Sequence, residues 1–487
     1  MSPAVILVCI CGYFAFLLLI AWYTSRNANN ESYFLGNRAS PWYAVAFGLI
    51  GDSLSGVTFI SVPGQVGTAN FAYLQVVFGY VIGYIVIASV LLPLYYRLRL
   101  TSIYSYLLER FGPNSQKTGA FFFLVSRTIG AAARLYLTAS VIQMFVFDAW
   151  GVPFVATVAT IIGLILIYTY KGGIKTLVWT DTFQSTFLLA GVLLSIAAVA
   201  RQLDWGFGDM VRAVAESPHS RIFVWDWMRG DSFFKHFFGG AAIAIAMTGL
   251  DQNMMQKNLS CRSLGEAQKN IYSFTAVVVL VNLFFLSLGT LLYAYAAHKG
   301  IAVPKDTDHL FPLLALKHLG TFAAIAFVVG LTAATFSSAD SVLTTLTTSF
   351  CIDFVGTEQP GKFTEQQKTF LRHVTHVSFA IVLLGVILIF WAVNKRALIN
   401  AVLTIAGYTY GPLLGLFAFG LMSKSRVRDT WVPVICCLAP AFCYLLSINS
   451  KNWFAGYVFG FELLILNGLL TALGLWVLRR PLNDQTL

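Results

Sequence analysis

The chain has 487 residues, 57% of them hydrophobic and only 11% charged, with a mean hydropathy of +0.73. Soluble domains run at about 45–50% apolar and about 25% charged, so this composition excludes a soluble globular protein and leaves a polytopic membrane protein. The net charge of +11 follows from loop residues on one side of the membrane, and it calls for no nucleic acid or acidic partner.

A helix crosses the hydrocarbon with about 20 mostly apolar residues. Thirteen such segments are predicted, near 3–24, 42–66, 70–96, 119–147, 152–170, 178–200, 234–256, 271–298, 319–350, 373–394, 397–422, 430–448 and 453–478. The runs are long and continuously apolar, unlike the alternating strands of about ten residues in a membrane barrel. The first segment lacks a basic leader and reads as a retained helix. The longest connection, about 201–233, is too short for a soluble domain, so 1–487 reads as one membrane domain.

The second segment is the anomaly. It contains "GLIGDSLSGVTFISVPG", Gly48 to Gly64. Each of Gly48, Gly51 and Gly56 costs a helix about 1 kcal/mol relative to alanine, and Pro63 removes a further backbone bond. Non-helical backbone at membrane depth is tolerated only where protein or a water-lined cavity buries it. In secondary transporters such breaks mark the substrate and ion site. Small residues could instead serve close helix packing, but Asp52, Ser53, Ser55, Thr58 and Ser61 cluster with these glycines and favour a site. Five spans later the seventh segment repeats the pattern, with Gly239-Gly240, then Thr248-Gly249 and Asp251-Gln252-Asn253. Spans two to six and seven to eleven then form two halves of an inverted repeat, with spans one, twelve and thirteen added.

Orientation follows from Lys and Arg in the loops. The Arg97–Arg99 and Lys424–Arg428 loops and the Arg479–Arg480 tail place the N-terminus outside and the C-terminus in the cytoplasm of a plasma (inner) membrane. Among the cysteines only Cys261 lies clearly in a loop, and no disulfide framework or metal-ligand spacing is present. The histidines, His219, His236, His298, His309, His318, His373 and His376, read as loop or helix-end residues, which argues against a haem subunit.

The stretches "ESYFLGNRASPWYAVAFGLIGDSLSGVTFISVPG", "VWTDTFQSTFLL" and "TAATFSSADSVLTTLTTSFCIDF" resemble the sodium:solute symporter family, over about residues 32 to 422. That family includes sodium-coupled glucose, proline, iodide, monocarboxylate and sialic acid transporters. The resemblance implies an all-α chain of about thirteen helices with a ten-helix core of the LeuT type, at 42–422. An added first helix (1–30) and two C-terminal helices (423–487) flank it. It also implies alternating access and Na+ as coupling ion, without an organic cofactor or enzymatic activity. A small solute and the lipid bilayer are the expected partners, and a monomer the expected state.

Carried over by motif, the principal sodium site takes backbone carbonyls of Gly51, Leu54 and Ala334 and the hydroxyls of Ser337 and Ser338. Neutral oxygen ligands suit a hard cation, and positions 334, 337, 338 and 341 share one helix face. Serines in membrane helices also simply bond back to their own carbonyls. A second sodium site in some relatives corresponds to Asp181, Ser337, Asp340 and Ser341. Asp340 departs from the serine usual there, and Asp181 could alternatively be an acid at a helix N-terminus near the surface. Asp181 and Asp340 also leave proton coupling open. For substrate, the resemblance to the sialic acid branch points to Ser53, Ser55, Thr58, Phe71, Gln75 and Arg134. An arginine inside a span marks a pathway or counter-ion, and its fork suits a carboxylate. The alternative for Arg134 is an internal salt bridge, for example to Asp52. The leading expectation is a sodium-driven importer of a small carboxylate-bearing solute, with a sugar or polyol importer as alternative. A non-transporting sensor or enzyme subunit is the reading from another class.

Overall fold

The computed structural model describes residues 3–26, 28–393 and 396–480. Residue 394, the last of the predicted tenth span, and the end of the 423–487 segment lie outside them. Apolar sequence at membrane depth must pair every backbone group internally, and the described chain is accordingly helical. Apart from helices it holds one two-residue antiparallel pairing, Arg426–Val427 against Arg479–Arg480, and an isolated bridge between Ser40 and Cys261.

In chain order the spans are Pro3–Thr24, the broken pair Trp42–Ser53 and Gly56–Ala69, Tyr73–Arg97 and Pro113–Ile142. The next element, Phe154–Leu203, is 50 residues long. At 1.5 Å per residue it measures about 75 Å, over twice the hydrocarbon thickness of about 30 Å. It is two spans joined at Gly173, whose φ of 50° and ψ of −138° interrupt the helix. A side chain at Gly173 would also strike the Tyr33 carbonyl oxygen at 2.5 Å. There follow the broken span Phe233–Gly249 with Gln252–Leu259, then Leu264–His298, Thr321–Val355, Glu365–Val393, Arg396–Met422, Val432–Trp453 and Glu462–Val477. Eight of these helices are long and apolar enough to cross a membrane, or ten if each bent pair counts as one span, and dividing Phe154–Leu203 at Gly173 and adding Arg396–Met422 and Glu462–Val477 gives the thirteen segments expected.

The two broken spans stand five passes apart and bend by 56° and 63°. The ninth span, Thr321–Val355, is the axis of the bundle. Every residue from Gly330 to Ser349 in it is buried, packed against the 154–203 helices, Pro113–Ile142 and both halves of the second span.

Four expectations change. The seventh span breaks at Leu250–Asp251, whereas Gly239 and Gly240 lie within a continuous helix. Those glycines serve close packing: a Cβ at Gly240 would meet the Val76 carbonyl oxygen at 2.3 Å, and one at Gly79 the Phe237 carbonyl oxygen at 2.1 Å. The same span runs on to Leu259, so Lys257 belongs to it rather than to a loop. The last connection is 454–461, not 449–452, because Ala455 and Gly456 adopt positive φ and turn the chain there. The tenth span starts at Glu365, two turns before position 373, which places His376 inside it. His376 is fully buried and bonds the hydroxyls of Tyr33, Thr169 and Thr347 at 2.9–3.0 Å.

Candidate functional site: a broken helix against the ninth span

Trp42–Ser53 ends because Leu54 takes non-helical angles, φ −102° and ψ 83°, and Ser55 is extended before the helix restarts at Gly56. Among the described residues no backbone N–H donates to the carbonyls of Gly51 or Leu54. The restarted helix has no side-chain cap from Ser55, and a helix N-terminus leaves its first N–H groups without intrahelical partners. The break therefore offers free carbonyls on one side and free donors on the other.

Glycine at 51 permits the approach to the ninth span: a Cβ there would lie 2.5 Å from Ser337 Oγ. Its N–H donates to Ser185 Oγ at 2.9 Å. On the ninth span Ser338 Oγ donates to the Ala334 carbonyl at 3.1 Å. This is a back-bond to its own helix, and it leaves the hydroxyl lone pairs available to a cation. Gly51, Ala334, Ser337 and Ser338 are all buried, and Gly51 and Ser337 are in direct apposition. Leu54, 3% exposed, adjoins the break itself.

Beside this lies a charged cluster. Asp181 is fully buried in the middle of the 154–203 element, not at a surface. Its Oδ1 accepts from Ser337 Oγ and its Oδ2 from Ser341 Oγ, each at 3.4 Å. The ammonium of Lys257 donates to Asp52 Oδ2, to Asp181 Oδ2 and, at 2.6 Å, to Ser341 Oγ. Asp340 turns partly aside, accepting from the Tyr168 hydroxyl at 2.7 Å and from the Ser341 N–H at 2.6 Å. The structure thus brings Asp181, Ser337 and Ser341 together and adds Lys257, which sequence reasoning missed. Its signal was available: an ionisable residue inside a span is a functional candidate by default, but ending that span at 256 left Lys257 among loop cations.

The substrate candidates divide. Gly56, beside buried Ser55, packs against Thr138 and Thr335, whose hydroxyls hydrogen-bond at 2.5 Å. Arg134 precedes Thr138 by one turn on the same helix face. It is half-buried and makes no hydrogen bond or ion pair with any described residue. Asp52, its suggested salt-bridge partner, is taken by Lys257. Arg127, about two turns earlier, pairs with Asp251 at 2.6 Å. Ser53 and Thr58 are half-buried at the break. Phe71 and Gln75 stand beside the loop that follows the 154–203 element. The Gln75 amide bonds the Ala72 and Asp231 carbonyls and the Val224 N–H, and the Phe71 N–H donates to the Arg221 carbonyl. The Gln75 side chain and the Phe71 backbone thus tie the third span to the 204–232 loop. A cavity of about 510 Å³ opens among Asn29, Arg38, Thr101, Glu358 and Lys368.

Two breaks five spans apart, the first packed through Gly51 against Ser337 of a buried span, are the pattern of an ion-coupled membrane transporter. The profile of the sodium:solute symporter family matches residues 33–429, and the chain belongs to that family. It is 24% identical to the sodium/sialic acid symporter NanT of Aliivibrio fischeri over 474 residues, 94% of this chain and 90% of that protein. It is 25% identical to the sodium/sialic acid symporter SiaT of Proteus mirabilis over 479 residues, 95% and 93% of the two chains. Sodium-coupled monocarboxylate transporter 1 of Xenopus laevis is 27% identical over 435 residues, 84% and 67% respectively. The fold matches the substrate-bound outward-open state of a Na+-coupled sialic acid symporter, with a TM-score of 0.82, 21% identity and 97% coverage of both chains. Mhp1, a nucleobase-cation-symport-1 family transporter, matches with a TM-score of 0.50. The protein is a sodium-coupled solute symporter with the LeuT-type inverted-repeat fold.

Proposed function

We propose that this symporter imports a small carboxylate-bearing solute, with Arg134 as the counter-ion of the carboxylate. The carrying observation is that Arg134 lies within a span and is unpaired among the described residues, while the acids of both breaks, Asp52 and Asp251, are held by Lys257 and Arg127. An intramembrane arginine without an acid is costly, and a substrate carboxylate offsets that cost. Open N–H groups at the start of Gly56–Ala69 favour negative charge at the same place, and Ser53, Ser55 and Thr58 supply further hydrogen bonds. Similarity to symporters named for sialic acid and for monocarboxylates supports this substrate class.

Sodium binds at the Gly51, Leu54 and Ala334 carbonyls and the Ser337 and Ser338 hydroxyls. The ten-helix core spans 42–422. The excess of Lys and Arg in loops on one side supports an N-terminus outside and the 510 Å³ cavity on the cytoplasmic face.

Uptake into proteoliposomes of a carboxylate solute and its amide analogue, with and without a sodium gradient, tests the reading. Wild type discriminates strongly between the two and Arg134→Ala does not. Charge-assisted bonds are worth about 1.5–3 kcal/mol each, so the loss of affinity exceeds tenfold. Arg134→Lys is impaired too, because it lacks the fork. A wild type that carries a neutral sugar well, with Arg134→Ala losing folded protein instead of affinity, overturns the assignment.

A further inference from the structure

Lys257 is 1% exposed, and its environment is specific. Its three ammonium protons have three oxygen partners, on three different elements: Asp52 before the first break, Asp181 on the 154–203 helices and Ser341 on the ninth span. Asp181 and Ser341 are two of the residues that the family resemblance gives to a second sodium ion. A monovalent cation is therefore already present among them, covalently tethered to the second broken span. Two like charges sharing these buried oxygens would repel strongly, so the ammonium and a sodium ion exclude one another. Of the other two residues of that set, Ser337 donates to Asp181 Oδ1, and Asp340 accepts from the Tyr168 hydroxyl and from the Ser341 N–H and hydroxyl.

We propose that Lys257 is the resident cation of the second site, so that this symporter binds a single sodium ion, at Gly51, Ala334, Ser337 and Ser338. Asp52 explains how the lysine is retained. It adds a second carboxylate to the ammonium, and that pairing compensates burial of the charge. The proposal rests on the sodium reading of the first break but not on the identity of the solute.

Equilibrium binding of radioactive sodium to the purified full chain, without solute, counts the ions directly. Wild type binds one sodium per chain, and Ser338→Ala weakens that binding roughly tenfold. Lys257→Met removes the charge while keeping the length, and it raises the count to two, with the added ion lost in Lys257→Met/Asp181→Asn. Should Lys257→Met fail to fold because two buried carboxylates lose their partner, Lys257→Met/Asp52→Asn removes one of them and keeps Asp181 for the ion. Two sodium ions on wild type overturn the proposal, as does a folded lysine-free variant that still binds one. If wild type binds one ion that Ser338→Ala leaves unchanged and Asp181→Asn abolishes, sodium occupies the second site despite Lys257, and the proposal fails. Failure of the carboxylate reading shows only in solute uptake and leaves these counts unchanged.

Discussion

The two broken spans are alike in place and bend but opposite in how their polar groups are satisfied. At the seventh span the protein itself claims what the break frees. Tyr95 donates to the Gly249 carbonyl at 2.8 Å and Tyr104 to the Leu250 carbonyl at 3.1 Å. Asp251 caps its own helix at Met254 N, and it also accepts from Arg127 and Tyr410. At the second span the Gly51 and Leu54 carbonyls accept no described backbone donor, and Asp52 Oδ1 is buried without a hydrogen-bond partner among the described residues. Buried polar groups are ordinarily paired, so a closed set marks scaffold and an open set marks a place for ligands. The same interruption of an apolar helix thus has two outcomes, decided by the neighbours it meets.

The sharpest way to break this contrast is to open the closed side. Arg127→Met leaves Asp251 buried and uncompensated in charge, a defect worth roughly 3–5 kcal/mol. Loss of folded protein, read by thermal melting of the purified chain, is the expected outcome. A stable Arg127→Met with altered sodium affinity instead would make the second break a ligand site too. An intermediate effect is expected on the open side. Ser338→Ala deletes one cation ligand and lowers apparent sodium affinity in uptake roughly tenfold, equivalent to about 1.4 kcal/mol. The amount of folded protein stays near wild type, because the hydroxyl's only other bond is to its own helix. Unchanged sodium dependence removes Ser338 from the site. The smallest effect comes from Tyr95→Phe, which takes one neutral donor from the Gly249 carbonyl. It costs about 1 kcal/mol of stability, seen as a slightly lower melting temperature, and leaves the sodium dependence of uptake where it was.

Much of this was legible in the linear pattern. Thirteen apolar runs and the crowding of Gly, Ser and Asp between Gly48 and Gly64 pointed to both the architecture and the broken helix. The weaker readings share one cause, an element end placed a few residues short. Lys257 fell one residue beyond the predicted seventh span, and His376 close to the predicted start of the tenth. Each is polar, and hydropathy alone cannot carry a helix through a polar residue that its neighbours will satisfy. Gln75 illustrates the converse. It is polar and fully buried near the broken helix, yet its amide is used up holding the 204–232 loop.

The sequence by itself determined the membrane class, the succession of apolar helices and the position of the first break, because each depends on local composition: apolar length sets a span, and glycine and proline weaken a helix wherever it stands. Only the tertiary structure decided which charges meet. Asp52, Asp181, Lys257 and Ser341 are separated by 129, 76 and 84 positions in turn, and their convergence comes from packing the 154–203 helices and both broken spans around the ninth. Burial makes the pairing consequential, because a carboxylate or an ammonium enclosed among helices must find an opposite charge nearby, and only the folded arrangement supplies it.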